Sequence, residues 1–148
     1  MPPSRRPAIE KRLRLDKDAL ASFLDEAFPA AARPSYGRVE SVDLDHVRMT
    51  LEPRPEMIRP GGIVAGPALM GLIDVAAYAV VLAHLGPVAM AVTNTLNVTF
   101  LRTCRLETVV ADAKLLKLGR RLATIEVRLW QGSEDRLVAV STVGYALP

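Results

Sequence analysis

One apolar stretch, ALMGLIDVAAYAVVLAHL at positions 68–85, constrains the fold more than any other part of the sequence. It is apolar on nearly every side, so it predicts a helix that is surrounded either by protein or by lipid. Its 18 residues are the lower limit for a membrane span. However, Asp74 would cost roughly 2.5–3.5 kcal/mol near a bilayer centre, and Gly86 and Pro87 end the stretch without an aromatic or basic anchor. We therefore predict no membrane span and a helix enclosed by protein.

Other segments show the periodicities of a short helix and of several strands. Residues 18–28 carry apolar side chains at helical spacing, with Asp18 as the expected N-cap. Residues 36–51 alternate between apolar and polar side chains, which predicts two antiparallel strands joined at Asp45 and His46. Four later segments are rich in Val, Thr, Leu and Ile and are separated by turn residues, which predicts an antiparallel meander. These segments cover residues 89–101, 108–118, 121–131 and 137–147.

This order of elements predicts an α+β fold. A helix of 18 residues is about 27 Å long, and its apolar surface can be covered only if a curved antiparallel sheet wraps around it. That is the hotdog fold, here with a short N-terminal helix added. The edges of such a sheet favour pairing with a second copy of the chain, so a homo-oligomer, either a dimer or a tetramer, is expected.

Charge separates the first 17 residues from the rest. Residues 1–17 hold six Lys/Arg and two acids, whereas residues 18–148 hold thirteen and fourteen. We predict a basic N-terminal arm at 1–17 and a single domain at 18–148. The domain is nearly neutral and aromatic residues are only 5% of the chain, so no nucleic-acid partner is expected. The single cysteine, Cys104, excludes an intramolecular disulfide and a multi-cysteine metal site, and a cytoplasmic location is expected.

Asp74 is the leading candidate for a functional residue, because a carboxylate is rarely enclosed by apolar surroundings without a partner. Either it is a hydrogen-bonded acid that stabilises the fold or an interface, or it activates water or attacks a carbonyl. Its helical neighbours Gly71 and Ala77 are small and leave room for a substrate above the carboxylate. Tyr78 either hydrogen-bonds Asp74 or belongs to the core.

Residues 59–81, RPGGIVAGPALMGLIDVAAYAVV, resemble the central segment of hotdog-fold thioesterases of the phenylacetyl-CoA type. In that family an Asp follows nine residues after the His of a His-Gly-Gly loop, and Ala65, Gly66, Pro67 and Asp74 have this spacing here. Three later stretches, TNTLNVTFLR, AKLLKLGRRLATIEVRL and LVAVSTVGYALP, also fit the family pattern. The resemblance covers roughly residues 36–148. It implies an acyl-CoA thioesterase, which hydrolyses a thioester to a free acid and CoA.

The resemblance also implies catalytic roles. Asp74 resembles the family's general base or nucleophile, and the alternatives stay open. The Gly66 N–H lies at the positive end of the helix and resembles the donor that polarises the thioester carbonyl, although Gly66 is also a residue typical of a tight turn. Thr93 resembles the residue that places the attacking water, and Asn94 is an alternative polar group beside it.

Two positions depart from the family pattern. Ala65 replaces the His that orients the thioester, which leaves a non-catalytic acyl-CoA-binding protein or a degenerate hotdog protein as an alternative. Arg59 replaces an Asn, and it faces either a CoA phosphate or solvent. A hotdog hydratase or dehydratase is a further alternative, but it needs a His beside the helix acid. His84 is ten residues beyond Asp74 on the helix, or about 15 Å away.

The remaining substrate contacts are expected at the acyl pocket and at a basic turn. Met70 and Tyr78 are expected to line the pocket wall. The predicted turn between two strands is either a site for CoA phosphates, which arginine binds well, or a solvated hairpin tip. It contains Lys117, Gly119, Arg120 and Arg121. No metal and no cofactor are expected, because CoA belongs to the substrate.

Overall fold

The computed structural model describes residues 11–148. Within this range the chain forms two α-helices, two short 3₁₀ helices and eight strands. Their bounds are α1 Lys17–Ala27, 3₁₀ Arg33–Tyr36, β1 Arg38–Asp43, β2 His46–Leu51, 3₁₀ Pro55–Met57, β3 Ile58–Arg59, β4 Ile63–Val64, α2 Gly66–Leu85, β5 Val92–Phe100, β6 Val109–Leu118, β7 Leu122–Trp130 and β8 Leu137–Ala146.

The N-cap of helix α1 lies two residues earlier than the sequence pattern predicts. The side chain of Asp16 accepts a hydrogen bond from the Ala19 N–H at 2.8 Å, so Asp16 is the N-cap and the prediction of Asp18 is wrong. Both residues are suitable caps, and only the backbone geometry selects between them. Ahead of the helix, the N–H groups of Arg14 and Leu15 donate to the Ala83 carbonyl of α2. The other part of the predicted basic arm, residues 1–10, lies outside the described residues.

Helix α2 is the apolar helix that the sequence predicts. It begins with Gly66 after an extended Ala65, has Pro67 in its first turn, and ends before Gly86, whose φ of 92° is accessible to glycine. By length and composition it could cross a membrane, yet 72% of its most apolar 18-residue window is buried inside the protein. Thirteen of its 20 residues are buried, whereas Asp74 is only half-buried. Asp74 is therefore a partly exposed acidic residue on an otherwise apolar helix.

Six strands form one antiparallel sheet in the order β1-β2-β6-β7-β8-β5. The predicted meander is correct for β6, β7 and β8 but wrong for β5, which pairs with β8 and not with β6. The eight residues between β5 and β6 allow the chain to pass across the ends of β8 and β7 before β6 begins. As a result β5 is an edge strand, and its first residues lie beside the last residues of β8.

The sheet packs around α2 through alternate side chains of its strands. In β6 the inward residues are Ala111, Ala113 and Leu115, and in β7 they include Ile125 and Val127; all five are buried. This alternation is typical of an antiparallel sheet with one face on the core. An apolar helix held by a wrapped antiparallel sheet is the hotdog fold, as predicted, and α1 is the additional N-terminal helix.

Candidate active site

The carboxylate of Asp74 lies where the start of β5 meets the end of β8. In the register of these two strands Thr93 is directly opposite Tyr145. The Thr93 hydroxyl donates to Asp74 Oδ1 at 2.6 Å, and the Tyr145 hydroxyl contacts the same oxygen at 2.7 Å. The Tyr145 hydroxyl also lies 3.0 Å from the Asp74 carbonyl oxygen. Oδ1 is therefore held by two hydroxyl groups, and no hydrogen bond within residues 11–148 reaches Oδ2.

Tyr145 was not among the residues that the sequence predicts for the site. Its side chain is 3% exposed, and burial raises its pKa far above the usual range, with the neighbouring Asp74 charge acting in the same direction. Its hydroxyl is therefore protonated at neutral pH and can donate a hydrogen bond to Asp74. A sequence signal exists, because Tyr145 occupies an inward position of β8 after Ser141 and Val143. A buried tyrosine normally needs a hydrogen-bond partner for its hydroxyl.

The Asp74 carboxylate opens into a cleft of about 610 Å³ whose walls are mostly apolar or aromatic. Four of the chain's seven aromatic residues contribute, and α1 and the 3₁₀ helix that follows it form one wall. The lining residues are Ala27, Phe28, Tyr36, Gly71, Asp74, Val75, Tyr78, Ala89, Ala91, Val92, Thr93 and Tyr145. None of these described lining residues is Lys, Arg or His. The carboxylate therefore faces an apolar space with hydroxyl groups and no cation beside it.

Tyr78 lines this cleft, but its hydroxyl donates to the Ala89 carbonyl at 3.1 Å and not to Asp74. Of the two interpretations left open for Tyr78, the hydrogen bond to Asp74 is therefore wrong. Its ring stacks on Tyr145 at 5.9 Å between centroids and meets Phe28 edge-on at 6.2 Å. Burial raises the Tyr78 pKa, so the hydroxyl stays neutral. Tyr78 is part of the wall of the cleft.

Asn94 is the extra residue of a β-bulge between Thr93 and Thr95. Its side chain lies over Gly144: a Cβ at Gly144 would come within 2.5 Å of both Asn94 Oδ1 and Thr95 Oγ1. A larger residue at position 144 would require these two side chains to move. Bulges re-aim side chains, and this one occurs directly after Thr93. Asn94 thus lies beside the site, with its side chain over Gly144 of the neighbouring strand.

Gly66 and Asp74 do not lie together within one chain. They are eight residues apart on α2, which corresponds to about 12 Å. Gly66 lines a second cleft of about 370 Å³ that also contains Arg59 and Phe100, at the opposite end of β5. The Arg59 side chain is exposed, and its Nε donates to the Pro60 carbonyl. A single chain therefore cannot present the Gly66 N–H and the Asp74 carboxylate to the same carbonyl group.

Ala65 and Met70 also lie near the start of α2. Ala65 lines a third cleft, of about 310 Å³, which shares Tyr36 and Gly71 with the Asp74 cleft. Met70 is exposed and lines none of these three clefts. Within one chain, Met70 therefore does not line the Asp74 cleft, where the acyl pocket is expected.

The predicted basic turn joins β6 to β7. Gly119 closes it, because its N–H donates to the Leu122 carbonyl and a Cβ would come within 2.9 Å of the same oxygen. Lys117, Arg120 and Arg121 are exposed. The Arg121 carbonyl accepts a hydrogen bond from the Leu147 N–H, two residues beyond Tyr145. The turn thus lies at the same end of the sheet as Asp74, although none of its residues lines the Asp74 cleft.

A second group of arginines was not predicted. Arg102, Arg105 and Arg136 line a cleft of about 340 Å³ beside the loop between β5 and β6, and Glu107 is the acidic residue among its lining residues. This cleft shares Arg102 with the Gly66 cleft. In the sequence these arginines are spread over 35 residues, so only the fold brings them together.

The histidines and the cysteine, which could also act as bases or nucleophiles, make other contacts or are buried. His84 is 1% exposed; its Nδ1 lies 2.8 Å from the Val80 carbonyl, and its Nε2 accepts from the Asp45 N–H. His46 pairs with Asp112. Burial raises the pKa of Cys104 to about 11, which makes its thiol a poor nucleophile. Within the described range no three His, Cys, Asp or Glu residues are grouped as metal ligands. Asp74 is the acidic residue that lines the apolar cleft of about 610 Å³.

Comparison with known proteins identifies the family. The family model of the thioesterase superfamily matches residues 61–138, more than half of the chain. A putative thioesterase from Silicibacter sp. TM1040 is 37% identical over 93% of this chain and 95% of its own, with a TM-score of 0.83. The chain belongs to the thioesterase superfamily.

Further solved structures agree with this assignment. A phenylacetic acid degradation-related protein from Ralstonia eutropha JMP134 is 26% identical, over 84% of this chain and 98% of its own, with a TM-score of 0.75. Zebra fish thioesterase superfamily member 2 is 20% identical, over 90% and 99% of the two chains, with a TM-score of 0.79, and shows the same fold. No curated protein matches the sequence. The superfamily assignment supports a thioester hydrolase.

Proposed function

We propose that this thioesterase-superfamily protein hydrolyses an acyl-CoA thioester and that Asp74 is its catalytic carboxylate. The observation that carries the proposal is the asymmetry of this carboxylate. Oδ1 is occupied by the hydroxyls of Thr93 and Tyr145, no hydrogen bond from residues 11–148 reaches Oδ2, and Asp74 lines an apolar cleft of about 610 Å³. A carboxylate with one oxygen held by hydroxyl groups and the other without a partner has a fixed direction and a free oxygen that can accept a proton from water.

The reaction starts at Oδ2. As a general base, Oδ2 takes a proton from water, and the water oxygen adds to the thioester carbonyl carbon. The oxyanion then collapses, the C–S bond breaks, and the CoA thiolate recovers the proton from Asp74. As a nucleophile, Oδ2 would itself add to the carbonyl, expel the CoA thiolate and leave an anhydride that water hydrolyses. Both routes use the same oxygen.

Thr93 supports the base route in one specific way. Its hydroxyl proton points at Asp74 Oδ1, so its oxygen can act towards water only as an acceptor. A water molecule that donates one hydrogen to Oδ2 and the other to Thr93 would be oriented with a lone pair free for attack. Asn94 adjoins this position and offers a further polar contact for the substrate.

The Gly66 N–H is the proposed donor to the carbonyl oxygen, but from a second copy of the chain. The distance of about 12 Å between Gly66 and Asp74 along α2 requires this. The edge strand β5 provides the surface, since Val92, Phe100 and the adjacent Leu101 are exposed and apolar. A homodimer joined along β5, or a tetramer built from it, would bring Gly66 of one chain to Asp74 of the other.

CoA carries several phosphate charges, and two basic regions could bind them. The β6–β7 turn with Lys117, Arg120 and Arg121 lies at the Asp74 end of the sheet, and Arg59 lines the Gly66 cleft. Since arginine binds phosphate through paired hydrogen bonds, these residues are the proposed contacts of the CoA nucleotide.

A non-catalytic acyl-CoA-binding protein is the second candidate, and one residue favours it. Ala65 lacks the side chain that would orient the thioester. Turnover decides between the two functions: purified protein is incubated with short, medium, long and aromatic acyl-CoAs, and free thiol is measured. Asp74→Asn is the matched variant, because its amide oxygen can still accept from Thr93 and Tyr145. We expect Asp74→Asn to keep the fold and to lower kcat by about 10²–10⁴. Activity within about threefold of wild type would refute the assignment of Asp74.

A further inference from the structure

Among residues 11–148, no Lys, Arg or His lines the cleft around the Asp74 carboxylate. The elements packed around it contribute few ionisable groups: Tyr36 from the 3₁₀ helix, Tyr78 from α2 and Tyr145 from β8. The lining residues contributed by α1 and β5 are not ionisable, and none of the described lining residues is cationic. An ionised carboxylate in an apolar cleft is unfavourable unless hydrogen bonds replace its lost hydration. In this cleft the hydroxyls of Thr93 and Tyr145 supply those hydrogen bonds.

Tyr145 supplies the most buried of these hydrogen bonds. Its hydroxyl lies 2.7 Å from Asp74 Oδ1 and 3.0 Å from the main-chain oxygen of the same residue. Its ring is stacked on Tyr78, and β8 pairs on both sides, with β7 and β5. The hydroxyl therefore has little freedom to move. Thr93, by contrast, is on the exposed edge strand.

We propose that Tyr145 is a positioning residue of the hydrolase: its hydroxyl holds Asp74 Oδ1 and so fixes the direction in which Oδ2 is presented to the substrate. The proposal rests on the function proposed above. Tyr145 does not touch the reacting atoms, because its hydroxyl is directed at Oδ1 and at the main chain. It also transfers no proton, since burial raises its pKa and keeps the hydroxyl protonated. Its effect is on the charge and the direction of the carboxylate.

The test is Tyr145→Phe, which removes the hydroxyl and keeps the ring. A donor to a carboxylate favours the charged form, so its removal should move the carboxyl titration to higher pH. We expect the midpoint of the acid limb of the pH–rate profile to move to higher pH by about one unit. We also expect kcat on the plateau above that limb to fall about tenfold, because the carboxylate loses its fixed direction, with little change in KM. Thr93→Val removes the other hydrogen-bond donor and should also move the acid limb of the pH–rate profile to higher pH.

Tyr78→Phe is the matched control. It removes a hydroxyl from the same cleft, but one that is bonded to Ala89 and not to Asp74. It should leave the carboxyl titration at its wild-type position, whatever it does to substrate binding. If the midpoint of the carboxyl titration rose by the same amount in Tyr78→Phe and Tyr145→Phe, the proposal would be overturned, because a general loosening of the cleft would then explain both shifts.

A measurement without substrate separates this proposal from the proposed function. Carbon-13 NMR of labelled aspartate carboxyls, with Asp74→Asn used to assign the signal, follows the titration of Asp74 directly. A higher titration midpoint in Tyr145→Phe supports the positioning role even if no acyl-CoA is hydrolysed, a result that would refute only the proposed function. An unchanged midpoint in the folded Tyr145→Phe protein would overturn the positioning role, whatever the activity.

Discussion

Gly144→Ala should disturb the site without touching any proposed catalytic group. Gly144 lies on β8 beside Tyr145, and the bulge of β5 passes directly over it. An added Cβ would be 2.5 Å from Asn94 Oδ1 and 2.5 Å from Thr95 Oγ1, whereas ordinary contact begins at 3.4 Å. Either the two exposed side chains turn away, which costs little, or the two strands separate locally by about 0.9 Å; we expect strand separation, because two side chains would have to turn at once.

The expected magnitude follows from this displacement. Thr93 precedes the bulge and lies 2.6 Å from Asp74 Oδ1, so a shift of about 0.9 Å would stretch the contact to about 3.5 Å, beyond hydrogen-bond range. Overpacking of this kind costs about 1–3 kcal/mol of unfolding free energy, or roughly 2–12 °C in Tm for a domain of this size. A misplacement of nearly 1 Å in an active site lowers kcat by about tenfold to a hundredfold.

Thermal unfolding and thiol-release kinetics of Gly144→Ala measure both effects. Gly71→Ala is the control for stability, because the same methyl group added there would meet only the Tyr36 ring, at 3.5 Å. As a Gly→Ala change inside α2 it should stabilise the protein by about 0.5–1 kcal/mol, the opposite sign. A Gly144→Ala protein with wild-type Tm and kcat would refute the argument that the bulge depends on this glycine.

Three further predictions concern the substrate and the assembly. Replacing both Arg120 and Arg121 with Ala should raise KM for an acyl-CoA, by a smaller factor at high salt, and leave KM for an acyl-pantetheine nearly unchanged. If this selective rise in KM occurred in an Arg105→Ala/Arg136→Ala protein and not in the Arg120→Ala/Arg121→Ala protein, the phosphates would instead be assigned to the cleft beside the β5–β6 loop. Phe28→Ala removes an aromatic wall of the Asp74 cleft and should shift kcat/KM towards bulkier acyl groups by roughly tenfold. Phe23→Ala, on helix α1 and outside that cleft, should lower stability without changing selectivity. Light scattering should give an active species of at least two chains, and an active species at the 16.1 kDa of one chain would contradict the shared site.

The sequence alone was sufficient to predict the central elements of the fold. The apolar helix with Asp74, the two strands that meet at Asp45 and the last four strands are local patterns of period 3.6 or 2, and each lies within a few residues of its predicted bounds. The pairing of β5 with β8 could not be predicted in this way. It depends on which strands meet across the sheet, and the alternating pattern of β5 is compatible with either neighbour.

The candidate site was predictable only in part, for a related reason. Asp74 is conspicuous because it is an acid in an apolar helix, and Thr93 followed from the resemblance to the family. Tyr145 is far from both in sequence, and its place opposite Thr93 exists only through the strand register. The spacing of Gly66 and Asp74 correctly places both on α2, but along a helix it also keeps them about 12 Å apart.

Subunit complementation tests the central claim most directly, namely that Gly66 of one chain and Asp74 of another form one thioester-cleaving site. Gly66→Pro removes the proposed donor N–H at a helix position where proline is well tolerated, after an Ala65 that is already extended. Asp74→Asn removes the carboxylate. Each variant alone should be nearly inactive.

When the two variants are unfolded together and refolded, about half of the dimers should contain one chain of each kind. In such a mixed dimer one site carries both changes and the other carries neither, so about a quarter of the wild-type activity should return. If Gly66 and Asp74 of the same chain formed the site, every site in the mixture would carry one defect. Activity no greater than the mean of the separate variants, in a mixture shown to contain mixed dimers, would contradict the account.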